Sequence, residues 1–320
     1  MKVGRRTIEI GNPDKELFPD SGITKKDLAE YYRRISDVLL PHAEDRPVTM
    51  HRFPDGIESD GFYQKDVPDH FPDWIRTERV ETKDEDEGPL QQLLLQKAAD
   101  LVYLADQGCI TLHAWLSRID RLDHPDRMVF DLDPPEDADL EGEFGKVRWA
   151  ARRIRDLLDE VELTSFVQTS GSKGLHVHVP LDRSADFDTV RGFAQDLVSL
   201  LARRHPDALT TAKRKADRGD RIFLDVARNA YGQTAVLPYS VRARPGGPLA
   251  TPLEWDELGR SGMHPRRYTM GNLFQRLGRV EDPWKGMGRH RRSLDGPREA
   301  LDELLEAEED EKDEPEGDGK

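Results

Sequence analysis

The chain has 320 residues, enough for one large domain or two modest ones. Its single cysteine, Cys109, excludes an intrachain disulfide and a thiolate zinc cluster. No apolar run approaches the roughly 20 residues that span a bilayer, and no signal-peptide-like stretch opens the chain, so a reducing cytoplasm is expected. The net charge of −15 at first argues against a polyanionic partner, but it is unevenly spread. Residues 299–320 hold twelve acids and two lysines, whereas Arg203 to Arg292 hold nineteen lysines and arginines against nine acids. A basic stretch on an acidic chain is the footprint of a phosphate-binding surface, although a solvated arginine-rich face gives the same count.

In chain order, Thr7 to Ile10 has strand character and is followed by a Gly11-Asn12-Pro13-Asp14 turn. Thr24 precedes a helical pattern (Leu28, Tyr31, Tyr32, Ile35, Val38, Leu39) that runs to Pro41, with Asp27 completing a capping box. Strands are expected over Pro47 to Phe53 and Gly61 to Lys65, an acidic loop over Thr82 to Gly88, and a helix over Leu93 to Gln107. Ile110 to Trp115 alternates as a strand, and Met128 to Asp133 is a second one stopped by Pro134 and Pro135. Phe144 to Leu158 is an amphipathic helix; Ser165 to Pro180 is strand, glycine turn, strand; Phe187 to Arg203 is a helix; Arg221 to Ala227 is a strand. Irregular alternation of strands and helices predicts an α+β fold with mixed and antiparallel sheets flanked by helices. The expected organisation is a catalytic domain over 1–298 and an acidic tail over 299–320, disordered for lack of large apolar residues from about Glu306.

The chemistry begins at Asp131 and Asp133. At i and i+2 on a strand they point to one side, where two carboxylates repel and lose solvation. A hard divalent cation such as Mn²⁺ or Mg²⁺ relieves both costs, while a solvated strand end or a turn cap is the simpler alternative. Downstream, Thr169-Ser170-Gly171-Ser172-Lys173-Gly174-Leu175-His176 combines two glycines, two hydroxyls and a cation, the parts of a phosphate cradle. His176 and His178 share a strand face, where a histidine satisfied by hydrogen bonds is commoner than a metal ligand. Asp225 ends a further apolar strand and offers a third carboxylate. Arg242 and Arg244 either grip a triphosphate or are surface charges.

The order of these segments, FDLDPP, TSGSKGLH, a lone strand aspartate and PYSVRAR, resembles the archaeo-eukaryotic primase superfamily. It is most similar to the polymerase domain of bacterial ATP-dependent DNA ligase D, over residues 5 to 295. NPDKELFP and GITKKDL match that family's opening. The resemblance implies a primase-type core and a template-directed nucleotidyltransferase that extends 3′-hydroxyls at gapped or broken DNA in non-homologous end joining, with a preference for ribonucleotides. It implies two Mn²⁺ or Mg²⁺ ions on Asp131, Asp133 and Asp225. Nucleotide contacts fall on Ser170, Ser172, Lys173, His176, Arg242, His113 and Arg52. Asn12, Lys15 and Lys25 would read a recessed 5′-phosphate, and Phe62 and Tyr63 would stack on the template. Ku and a separately encoded ligase are implied partners, and the nucleoid the implied location.

His51 departs from the family, which carries a lysine there; Arg228 sits where the family is often uncharged, and no role passes to His178. The ligase KxDG motif is absent, so a stand-alone polymerase or a piece of a longer protein is expected. Three rivals remain at this point: a primase that starts chains de novo, a non-catalytic DNA-end-binding module, and a metal-dependent phosphodiesterase.

Overall fold

The computed structural model describes residues 1–82, 88–135 and 142–313. An N-terminal arm of four short strands, β1 (Lys2–Val3), β2 (Arg6–Thr7), β3 (Glu16–Phe18) and β4 (Ile23–Thr24), leads into helix α1 (Lys25–Ala43). The Thr24 hydroxyl accepts from the Asp27 backbone N–H and the Asp27 carboxylate accepts from that of Thr24, so the expected capping box closes.

The first large sheet follows: β5 (Pro47–Arg52), β6 (Phe62–Gln64), β7 (Arg76–Val80), β8 (Leu90–Leu94), and, after α2 (Ala98–Asp106), β9 (Cys109–Trp115). Leu93 to Gln107 is therefore not one helix. Leu90–Leu94 pairs in register with Arg76–Val80, and helix begins only at Ala98. The run Leu90-Gln91-Gln92-Leu93-Leu94 has no decisive period, and pairing with its neighbours overrides its helical propensity. Gln96 and Lys97 backbone N–H groups both donate to the Asp100 carboxylate, which fixes the start of α2. The expected acidic loop falls largely on residues outside those described.

The second sheet contains β10 (Arg127–Asp133), β11 (Phe166–Thr169), β12 (Leu175–Pro180), β13 (Leu209–Thr210) and β14 (Ile222–Asp225). β15 (Thr234–Val236) returns to the first sheet beside β9, and β16 (Thr251–Leu253) closes the second. The second sheet has the order β13-β14-β10-β12-β11-β16, antiparallel except for the β13–β14 pair. Helices α3 (Phe144–Glu160) and α4 (Phe187–Arg204) cover its apolar face, where Met128, Phe130, Leu132, Leu175, Val177 and Val179 meet Val147, Ile154, Phe193 and Leu197. A separate core joins the first sheet to α1 and α2. This mixture of helices with antiparallel and mixed sheets is the expected α+β class. Strand alternation leaves the other face of β10, β12 and β14 to polar residues, which is where the site lies.

After α5 (Leu273–Leu277), the last element is α6 (Asp295–Asp313). Its course corrects the expected disordered tail. Leu301 is fully buried in the second core, and Glu308 pairs with Arg203 and Arg204 on α4. Leu301, Leu304 and Leu305, with Ala300, dock a helix whose other positions are mostly acidic, so the boundary placed at 298 falls inside α6.

Candidate active site

Register aligns the carboxylates. Asp131 lies directly opposite His176 on β12 and Asp225 on β14. Opposed residues in antiparallel strands project to the same side, so the three form a row, with Asp133 two residues further along the same face. His176 Nε2 lies 3.2 Å from Asp131 Oδ1. Behind it, Gln168 Nε2 lies 3.4 Å from the Val236 carbonyl oxygen and 3.3 Å from His176 Nδ1. The carbonyl fixes which end of the amide is nitrogen, so Nδ1 accepts and Nε2 carries the proton donated to Asp131.

Electrostatics separate the carboxylates. Burial raises the Asp131 carboxyl, but His176, Arg228 and Arg242 outweigh it and hold it below its ordinary value. Burial, Asp131 and Asp225 push Asp133 up to about 7. A carboxyl that resists ionisation because of its neighbours lacks a countercharge, and an oxygen-loving divalent cation supplies one. Among the described residues, however, no three His, Cys, Asp or Glu side chains close into a ready metal cage. Asp131 faces His176, and Asp225 Oδ1 accepts from the Ala227 N–H at 2.7 Å. The donors fit a hard cation in chemistry and order; gathering around one requires rotation of these side chains.

The glycine turn faces this row. Ser170 Oγ accepts from the N–H groups of Ser172 and Gly174, which ties the turn into a loop. Gly171 has φ +65°, and a Cβ there would lie 2.6 Å from Arg242 Cγ. Arg242 in turn donates to the Ser170 carbonyl at 2.9 Å. A Cβ on Gly174 would fall 2.0 Å from the Leu132 carbonyl oxygen, inside the strand that carries both aspartates. Gly174→Ala is expected to displace that strand, lowering stability by roughly 1–3 kcal/mol and removing activity. Urea unfolding and a turnover assay check this, and an unchanged protein would show that the close approach does not matter.

Asp131, Asp133, Ser170, Ser172, Lys173, His176, Arg242, His113 and Tyr63 line a cleft of about 1030 Å³. Among the described residues His113 Nε2 has no hydrogen-bond partner, and burial with Arg242 nearby keeps the ring neutral. Tyr63 is 61% exposed and stacks on His51, with ring centroids 4.0 Å apart and planes 12° apart. Burial, Arg242 and Arg244 push His51 down to about 4, so a neutral ring backs Tyr63. Phe62 is exposed beside it, outside the cleft. Arg52 also does not line the cleft: it donates to the Gln107 carbonyl and to Gln64, with its guanidinium 5.5 Å from the Phe62 ring centroid. Sequence patterns missed Lys146, Lys215, Arg218 and Arg221, which also line the cleft. The basic run Lys213 to Arg221 carried that signal only as charge.

Asn12, Lys15 and Lys25 form a second group. The Lys15 N–H donates to the Asn12 carbonyl and the Lys25 N–H to the Lys15 carbonyl, which folds the three together. Lys15 Nζ lies 2.6 Å from Asp55, and Lys25 Nζ 3.5 Å from Asp106.

The family model described as "LigD, primase-polymerase domain" matches residues 24–284. The multifunctional non-homologous end joining protein LigD of Pseudomonas aeruginosa is 35% identical over 280 residues, which cover 87% of this chain and 32% of that protein. The bifunctional LigD of Bacillus subtilis is 30% identical over 271 residues, 84% of this chain and 42% of that protein. The chain thus spans about a third to two-fifths of these relatives. The polymerase domain of Mycobacterium tuberculosis ligase D, solved in complex with DNA, superposes with a TM-score of 0.81 at 28% identity, covering 89% of this chain and 99% of that one.

Proposed function

The chain belongs to the LigD primase-polymerase domain family of DNA-directed nucleotidyltransferases, and on that basis we propose that it fills gaps and extends 3′-hydroxyls at DNA breaks, favouring ribonucleotides. The observation that carries this reading is that Asp131 and Asp133 line one cleft with Ser170, Ser172 and Lys173, while strand register sets Asp225 directly opposite Asp131. Divalent cations, Mn²⁺ or Mg²⁺, held by the three aspartates would activate the primer hydroxyl and neutralise charge on the phosphates. Lys173, Arg242 and the hydroxyls of Ser170 and Ser172 hold the triphosphate. His176 orients Asp131 and contacts the nucleotide, while His113 presents a neutral ring from β9. Tyr63 offers a sequence-tolerant stacking surface, with Phe62 beside it. With these contacts the chain supplies positioning and fixed charge rather than covalent chemistry.

Asn12, Lys15 and Lys25 would take a recessed 5′-phosphate in place of Asp55 and Asp106, which favours gaps over de novo priming. Lys15→Ala is expected to weaken binding to 5′-phosphorylated gapped duplex roughly tenfold or more, as for loss of a charge-assisted hydrogen bond, and to leave unphosphorylated duplex unaffected. Fluorescence anisotropy on the two duplexes tests this, and equal loss on both would remove the role. The implied partners are Ku and a separately encoded ligase. Among the described residues no helix is long and apolar enough to cross a membrane, and the proposed place of action is the nucleoid.

A further inference from the structure

At the far end of β10 lies a second cavity of about 520 Å³, between α1 and the segment 277–291. Arg127 shares the face of Asp131 but sits four residues earlier, roughly 13 Å along the strand. Between the two sites stands His178, opposite Val129 and packed edge-on against Trp284.

The floor of this cavity has too few anions for its cations. Asp126 is buried and binds Arg46 through both oxygens, at 2.5 and 2.7 Å, and Arg118 at 3.0 Å. Arg291 comes no closer to it than 3.7 Å. Among the described residues the Arg127 side chain has no hydrogen bond and no ion pair; the Trp284 ring lies 6.0 Å from its guanidinium carbon, and the one carboxylate that acts on it, Asp126, is held by Arg46 and Arg118. Burial and Arg46 push Arg127 down to about 9, with Asp126 acting the other way and Arg118 and Arg291 adding to the fall. Two of the cavity's other acids are engaged elsewhere and the third faces solvent. Asp282 accepts from His42, Tyr239 and the Trp284 N–H, Glu281 pairs with Lys285, and Asp37 is exposed. Arg127 is half-buried, and the one anion beside it is already shared by Arg46 and Arg118, so its N–H donors stay available, and replacing such a group with an apolar one costs the fold little. Paired guanidinium groups at the edge of a cavity of small-ligand size have the donor geometry for a phosphoryl group.

We propose that this cavity is a second oxyanion site, where Arg127 and Arg291 bind a phosphoryl group through their unused N–H donors. The group comes either from free phosphate or pyrophosphate or from a nucleic-acid backbone, and the same chemistry serves both. The site is independent of the carboxylate cleft and of the reaction proposed there.

Equilibrium dialysis of the full chain with radiolabelled pyrophosphate in metal-free buffer tests it. The unaltered protein is expected to bind at one more site than Arg127→Met, and Arg291→Ala to weaken that site at least tenfold. In anion-free buffer Arg127→Met is expected to melt at or above the temperature of the parent, and to lose this site's share of the rise with millimolar pyrophosphate. Equal stoichiometry and equal melting response in all three proteins would overturn the proposal. If Arg127→Met does not fold, Arg291→Ala decides by the same reading, since that side chain is 42% exposed. An unphosphorylated duplex that displaces this pyrophosphate assigns the site to nucleic-acid backbone; one that leaves it bound assigns it to a small phosphate, and either supports the site.

Discussion

Asp131→Ala and Asp225→Ala are each expected to lower primer extension by about a thousandfold or more, equivalent to roughly 4 kcal/mol of transition-state stabilisation. The two residues face each other across β10 and β14, and Asp133 adjoins them, so the three act on one small volume. Carboxylates that work as a unit are non-additive. The double variant is expected to be little worse than either single one. Binding of DNA ends should persist, because Lys15 and Lys25 lie outside the cleft and do not depend on its carboxylates. Single-turnover extension on a gapped duplex, with anisotropy for binding, separates the two effects. Extension retained in either single variant would remove the carboxylate row from the reaction. Loss of binding in parallel with extension would instead make the carboxylates part of the DNA contact rather than of the chemical step.

The largest stability effect is expected at Asp126. Its carboxylate and the Arg46 guanidinium are both almost wholly buried; Arg46, just after α1, reaches the start of β10 through Asp126 and the end of β9 by donating also to the Trp115 carbonyl. Asp126→Ala leaves Arg46 and Arg118 without their shared anion. Breaking a buried pair in this way costs about 3–5 kcal/mol, and a fall in melting temperature of roughly 10 °C is expected. Burial alone raises the Asp126 carboxyl, but Arg46 and Arg127 outweigh it and hold it far below the ordinary carboxylate range. A depressed folded-state value stabilises the fold above the unfolded value, near 3.9. That contribution fades as pH falls below it. The stability gap between parent and Asp126→Ala is therefore expected to be constant from pH 8 to 5 and to narrow only below about pH 4. Denaturant melts across that range measure it, and a gap that closes between pH 7 and 5 would contradict the ionic account.

What was legible in the sequence depended on local signals. The Thr24–Asp27 box, the alternation that puts Asp131 and Asp133 on one side, and the glycines of the Ser170–Gly174 turn each act within a few residues, and each is present in the fold. The chain-order logic also placed Asp225, but only strand pairing set it opposite Asp131. Leu90–Leu94 was illegible as a strand because its partners, Arg76–Val80 and Pro47–Val48, lie elsewhere in the chain. The resemblance alone placed Arg52 at the nucleotide, and in the fold its donors go to the Gln107 carbonyl and Gln64. Gln168 carries no motif at all; its position behind His176 exists only through the β11–β12 register. The same holds for Arg127, whose lack of a partner is a property of the packed fold and not of any spacing. Acidic composition hid the docking of α6, because a few leucines and the pairing of Glu308 with Arg203 and Arg204 decide it.

The central claim is tested most directly by one assay: a labelled primer on a duplex with a short gap, supplied with Mn²⁺ and one nucleoside triphosphate at a time, with or without a 5′-phosphate on the downstream strand. The account predicts addition of the template-complementary nucleotide to the 3′-end, faster with ribonucleotides and faster when the 5′-phosphate is present. Release of mononucleotides from the primer, or no extension with any triphosphate while DNA remains bound, would contradict it.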